Sequence, residues 1–575
     1  MENTKKQHFG LIMVVYLLGI FMGALDTGIV TPARTVIQSN LMVDDKLGIW
    51  MITIYTLAYA ASIPVMGKFA DRNGRKNIYL LSIFLFAIGS LFCGLSQQFE
   101  SFPLLLGARA IQAIGGGGIV PVATAEFGTT FPAEKRGMAL GLVGGVFGIA
   151  NVFGASVGSG ILDIFGAENW QYIFYINLPI SVFILAAGIF VLPNTKERSV
   201  KKIDGLGILV LTGMVLALMY GLKNIDFFDF LKTVSSKEVF PFLLFSILLI
   251  PLFIFLEKRA EDPVMNLSYF KNKRIIITLL LSIITGVVLM GVIFIPQFCE
   301  NAMKMAAGSG GYFVIILGVF AGIGAPLSGN LIDRYGAKVV LLLGFGTSIA
   351  GAVFLIFVTT NSPTMVTVIL CLILLGTGMG FTMGTPLNYM MLEETSRKEA
   401  NSALATLSLV RSMGTVIAPA IMVGFIAHAG MAVQGNIMDL LPKTVDAPGM
   451  PGNQMEINLS GSSESIPKDL LELMQGSDVT TVVENSKTFA GAMFDQMETR
   501  LSGKLPPAAA EAMEKSFALS KEKYLNAIDE KSDIIETEFQ KTLNVGFKQI
   551  YGTVGISSLV GVVLLLFYRR KKKEL

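Results

Sequence analysis

Gly67-Lys-Phe-Ala-Asp71-Arg72-Asn-Gly74-Arg75-Lys76 and Gly329-Asn-Leu-Ile-Asp333-Arg334-Tyr-Gly336-Ala-Lys338 spell one pattern, GxxxDRxGxK, in two distant parts of the chain. Each copy lies between two long apolar runs and reads as a charged turn joining two helices. A match of this length at equivalent places implies two duplicated halves with any central site between them. The glycines permit a tight turn and close helix approach. The charges suit a latch, with Asp71 facing the positive N-terminal end of a helix in the other half. Gly67, Asp71, Arg72, Gly74, Arg75, Lys76, Asp333 and Arg334 are therefore expected to gate rather than to bind a ligand. Anchoring of basic residues at a membrane face accounts for Arg75 and Lys76, but not for Asp71 or the repeat.

On either side of these turns the chain is strongly apolar. Hydrophobic residues make up 53% of the 575 and charged residues 15%, with a mean hydropathy of +0.63. A soluble domain carries about a quarter charged residues. Runs of about 20 apolar residues, the length that crosses a bilayer, fall at 9–33, 48–69, 77–96, 102–128, 137–162, 168–192, 203–221 and 239–256. Six more follow at 274–298, 309–331, 338–359, 364–390, 400–429 and 546–568, giving fourteen spans. Lys5 and Lys6 precede the first run as in a signal peptide, but no small-residue cleavage site follows, so it reads as span one.

Basic residues cluster after the even-numbered spans, as at Arg72–Lys76, Lys135–Arg136, Lys258–Arg259 and Arg569–Lys573. The positive-inside rule then puts both termini in the cytoplasm, and the expected location is a bacterial plasma membrane. Residues 430–545 are polar and acidic and fall outside. Pro507–Leu543 has helical spacing behind Pro506, and a weaker helix is expected over Pro467–Gln475, together forming a helical cap. A flexible linker is the alternative for Gly430–Gly461. The expected organisation is a six-helix bundle over 1–196 and two inserted helices over 197–260. The first five helices of a second bundle follow over 261–429, then the outer segment over 430–545, and the last helix with a basic tail over 546–575.

Cys93, Cys299 and Cys371 are isolated, and His8 and His428 are the histidines, so neither a disulfide framework nor a metal site is expected. Gly115–Gly118 lies inside an apolar run without a GK[ST] ending and reads as a close-packing element, not a phosphate loop. No cofactor, enzymatic activity or nucleic-acid partner is expected.

The loop after span two resembles the signature loop of the major facilitator superfamily, and fourteen spans resemble its drug:proton antiporter branch with two extra central helices. Leu25-Asp26-Thr27, Arg109-Ala-Ile-Gln112-Ala-Ile-Gly115 and Trp170-Gln-Tyr-Ile-Phe174-Tyr-Ile-Asn177-Leu-Pro179 are similar to that branch's motifs in spans one, four and six. The resemblance implies an all-α membrane protein of two six-helix bundles that exports amphipathic compounds by proton antiport, as a monomer. Two stretches depart from it. Span five reads Gly154-Ala-Ser-Val-Gly158-Ser159 in place of a GPxxGG run, and span one continues Ala33-Arg34-Thr35 in place of an apolar ending.

Ionisable side chains inside spans cost about 2.5–3.5 kcal/mol each, so each is a functional candidate. Asp26 is the first choice for proton coupling, with a structural carboxylate as the alternative. Glu126 is the second, unless it sits at the inner headgroup level. Arg109, by the resemblance, tunes the proton site and can pair with Asp26. Arg34, Gln112, Glu300 and Arg411 are candidates for the substrate cavity, although Arg34 suits snorkelling to outer headgroups as well. Phe and Met side chains suit amphiphiles. Two further readings stay open. The cargo is a lipid or envelope amphiphile, suggested by Arg34, the altered span five and the outer segment. Or the chain is a membrane sensor or scaffold acting through residues 430–545.

Overall fold

The computed structural model describes residues 9–30, 33–43, 48, 50–130, 133–193, 204–261, 263–305, 310–383, 385–396, 399–441, 444–446, 454–456, 482–502 and 507–568. The first half holds helices α1 (Phe9–Ile29), α2 (Trp50–Asn73), α3 (Arg75–Gln98), α4 (Phe102–Thr130), α5 (Ala133–Phe165) and α6 (Asn177–Val191). A hairpin of α7 (Gly205–Lys223) and α8 (Phe240–Arg259) follows. The second half holds α9 (Lys273–Met290), α10 (Gly311–Tyr335), α11 (Ala337–Phe354), α12 (Met365–Thr382), α13 (Ala400–Leu440) and α14 (Ser532–Phe567).

Thirteen helices among the described residues are long and apolar enough to cross a membrane. Fourteen spans were expected from the sequence. The difference is α5, whose apolar stretches are the shorter Arg136–Ala150 and Ser156–Phe165.

The repeat has a backbone cause. Gly74 (φ 91°) is the single residue between α2 and α3, and Gly336 (φ 85°) is its counterpart between α10 and α11. A residue with a Cβ is disfavoured there, so the glycine lets one helix stop and the next begin without a loop. The likeness extends upstream, since Pro64 and Pro326 stand at matching places inside α2 and α10, three residues before Gly67 and Gly329.

Between the halves, α5 packs on α10 with Gly137 against Gly329, and α2 packs on α13 with Gly67 against Ala405. The α7–α8 hairpin lies outside this seam. Leu211, Val215, Met219 and Phe253 join Ala60, Ala61 and Leu409 in one buried cluster that spans α2 and α13.

Small residues set the spacing within the first half. A Cβ on Gly115 would lie 2.5 Å from the Phe86 nitrogen and 2.5 Å from the Ser82 carbonyl oxygen, both backbone atoms of α3. Gly115→Val is therefore expected to cost about 3 kcal/mol by overpacking. Gly107→Val, on the same helix with nothing within 4 Å of its Cβ direction, should be nearly neutral. Equal melting temperatures for the two purified variants would refute the close packing.

Beyond the bundle, α13 runs on to Leu440 and α14 begins at Ser532, well outside the apolar runs 400–429 and 546–568. Helices Val482–Ser502 and Pro507–Glu530 pack on these extensions, burying Phe489, Phe494, Phe517 and Tyr524, with the Phe494 and Tyr524 rings 5.3 Å apart. Lys531 Nζ donates to the Leu440 carbonyl at the end of α13 (2.8 Å), and Gln540 Nε2 donates to the Asn301 carbonyl (2.6 Å). The expected helix from Pro507 is present, but it breaks at Lys531 and then continues into α14. The helix expected over Pro467–Gln475 lies outside the described residues. In the stretch where a linker was the alternative, Thr444–Asp446 pairs antiparallel with Gln454–Glu456.

Candidate functional site: a buried ion-pair cluster and a charged latch

Asp26 of α1 is fully buried (0% exposed), and three side chains converge on it. Arg109 Nη1 of α4 donates to Oδ2 (2.9 Å), while Gln112 Nε2 of α4 (2.8 Å) and Asn177 Nδ2 at the start of α6 (3.0 Å) donate to Oδ1. Ser90 Oγ of α3 accepts from Gln112 (2.8 Å) and Asn177 (3.3 Å). Arg109 Nη1 also donates to Gln112 Oε1 (2.7 Å), and its guanidinium lies 4.0 Å from the centre of the Tyr55 ring of α2. Three helices of the first half thus meet at the carboxylate, and α2 and α3 join the surrounding network through Tyr55 and Ser90. Every hydrogen bond reaching Asp26 suits the ionised form, which only accepts. The Asn177 Oδ1 atom is buried without a hydrogen-bond partner.

Charge and local structure explain the assembly. A lone buried charge is prohibitive in an apolar interior, whereas a paired and hydrogen-bonded one is tolerated. Arg109 and Gln112 are three residues apart and so project from one face of α4. The cluster stands in the half of the bundle away from the repeat turns, with Asp26 in the last turn of α1 and Arg109 early in α4.

At the other end, the repeat residues join the halves. The Asp71 carboxylate accepts from the backbone N–H groups of Asn401 (3.2 Å) and Ser402 (2.9 Å), from Asn401 Nδ2 (2.5 Å) and from Ser402 Oγ (2.5 Å). These are the first residues of α13, so an anion sits on the positive end of a helix dipole. Asp333 Oδ1 accepts from the Gly137 N–H near the start of α5 (3.2 Å). Lys76 Nζ donates to the Ile189 carbonyl near the end of α6 (2.6 Å), and Lys338 Nζ to the Tyr568 carbonyl just past α14 (2.9 Å). Each copy therefore places its Asp at a helix start in the opposite half and its Lys at a helix end in its own. Both turns lie at one end of the bundle.

The remaining candidates separate. Glu126 is buried and pairs with Arg75 (3.1 Å), bonds to Thr130 Oγ1 (2.6 Å), and lies far along α4 from the Asp26 cluster. Glu300 accepts from the Gly310 N–H ahead of α10 (2.9 Å). Arg34 is half-buried and opens a short helix, Arg34–Asn40; Arg72 is half-buried and Arg334 exposed. Arg411 is half-buried in α13, with Nε and Nη2 buried and without a hydrogen-bond partner. Ser90 and Tyr55 were not singled out from the sequence, and Asn177 stood there only within a family-like stretch. Among the described residues, no group of three or more His, Cys, Asp or Glu side chains is placed to hold a metal.

Two helical halves joined at one end, with a buried ion pair between membrane-length helices, define a multi-pass membrane protein. The sequence model of the Major Facilitator Superfamily matches residues 16–419, and the chain belongs to that family. An MFS-type transporter of Bacillus subtilis (strain 168), YfiU, is 39% identical over 72% of this chain and 79% of its own length. Multidrug resistance protein 3 of the same organism is 30% identical over 72% of this chain and 79% of its own length. Among solved structures, the human organic anion transporter MFSD10 superposes with a TM-score of 0.54 at 13% identity, covering 72% of this chain and 93% of that one. That likeness concerns the fold.

Proposed function

We propose that the chain exports amphipathic compounds in exchange for protons by alternating access, with the latched end facing the cytoplasm and the cap outside. The carrying observation is the fully buried Asp26–Arg109 pair, at 2.9 Å. An ionisable group this deep is retained at a cost, and a proton relay is one of the functions that retain it. When Asp26 takes up a proton it becomes a donor, Arg109 loses its counter-charge, and the buried Asn177 Oδ1 supplies an acceptor after an amide turn. The helices of the network around the carboxylate then repack together. Asp26 lies toward the end away from the latch, where a proton enters from outside. The multidrug resistance relative supports the amphiphile class.

The test is proton flux in proteoliposomes loaded with a pH-sensitive dye. Addition of an amphipathic substrate is expected to move protons against it, in proportion to substrate moved. Substrate accumulation with no accompanying proton movement would refute antiport.

A further inference from the structure

Among the described residues, Arg411 of α13 stands outside the ion pairs inside the bundle. Asp26 and Arg109 neutralise each other, and Glu126 is matched by Arg75. Arg411 has no such match. Its Nε and Nη2 are buried without a hydrogen-bond partner, and among the described residues the titratable side chain close enough to act on it is a tyrosine, Tyr59. It sits about 16 Å up α13 from the latched end, near mid-height. The side facing it is α2 of the other half, so it lies on the seam between the halves. The α13 backbone at Arg411 packs tightly on Gly286 of α9, which fixes the position of the side chain's root.

We propose that Arg411 receives a negatively charged group of the transported amphiphile, so that the preferred cargo is an apolar or aromatic body bearing a sulfonate, carboxylate or phosphate. A guanidinium presents several N–H donors in a planar fork suited to such oxyanions. A cation in an apolar seam requires a counter-charge, and here the cargo supplies it. Tyr59 offers the body a ring, and its own ring stacks on Tyr55 (centroids 6.1 Å apart, 15° between planes), which lies under Arg109. Cargo at Arg411 thus touches a ladder of aromatic rings on α2 that ends at the proton site. This inference rests on the export reading and names its substrate class.

The test reads binding, so that it fails independently of proton coupling. The full-length protein in nanodiscs of zwitterionic lipid is titrated with 8-anilino-1-naphthalenesulfonate and with N-phenyl-1-naphthylamine, which share an aromatic body and differ in the sulfonate. The unsubstituted protein is expected to bind the sulfonate about tenfold more tightly or better, as one charge-assisted pair implies. Arg411→Gln should lose that preference and keep its affinity for the neutral probe, with Arg411→Lys between them. Nanodiscs containing phosphatidylglycerol separate two sources of the anion. Competition that is lost in Arg411→Gln identifies a lipid headgroup at the same position, and absence of competition identifies a free solute. Equal affinity of the unsubstituted protein for the two probes overturns the proposal. So does an unchanged sulfonate affinity in Arg411→Gln, or an equal loss of both probes in a variant whose melting temperature is intact.

Discussion

Proteoliposomes carrying Asp26→Asn are expected to show no substrate-driven proton movement, falling to the level of empty vesicles. Asparagine has the shape of the native side chain but carries no titratable group, so the step that couples protons to cargo has no carrier. The change also strands Arg109, whose ion-pair partner at 2.9 Å is removed while its burial is kept. Breaking a buried pair from one side costs about 3–5 kcal/mol. The asparagine carbonyl still accepts from Gln112 or Asn177, which places the expected cost at the lower end. The loss of coupling must therefore be separated from loss of fold. Asp26→Asn combined with Arg109→Gln removes both charges and should recover most of the melting temperature without recovering proton movement, because neighbouring sites are not additive. Normal coupling in Asp26→Asn would remove the carboxylate from the mechanism and leave Glu126 as the next candidate to examine.

The fold was legible where charge interrupts apolar sequence. The two DR turns, each a charged break between apolar helices, follow from spacing alone. Positions of neutral polar residues did not follow. Ser90 is one small residue among many in an apolar helix, and nothing along the chain tells that it meets Gln112 and Asn177 from two other helices. Glu126 illustrates the converse: its charge was conspicuous, but its partner Arg75 stands on a neighbouring helix 51 positions away. Hydropathy marks only the apolar part of α13 and α14. Their apolar runs stop at 429 and start at 546, yet the helices continue through polar sequence because the aromatic cap packs on them and Lys531 closes the end of α13.

Asp71→Asn is expected to release the latched end. The carboxylate accepts four hydrogen bonds from the start of α13, two of them from backbone N–H groups at 3.2 and 2.9 Å. An asparagine offers one acceptor oxygen and turns an NH2 group toward the remaining donors, and the favourable interaction with the helix dipole is lost as well. Hydrogen bonds to a charged group are worth about 1.5–3 kcal/mol each. The opening equilibrium should therefore shift by about 2–3 kcal/mol, or about 30- to 150-fold. Spin labels at Asn73 and Ser396, both exposed and on opposite halves, report the shift as a longer distance in most of the population. Ser402→Ala deletes one side-chain donor but leaves both backbone N–H groups, so its shift should be smaller, about 1 kcal/mol. Asp71→Glu keeps the charge and should fall between the two. An unchanged distance distribution in Asp71→Asn would mean that α5 and α10 hold that end closed unaided, and that the DR repeat serves folding rather than gating.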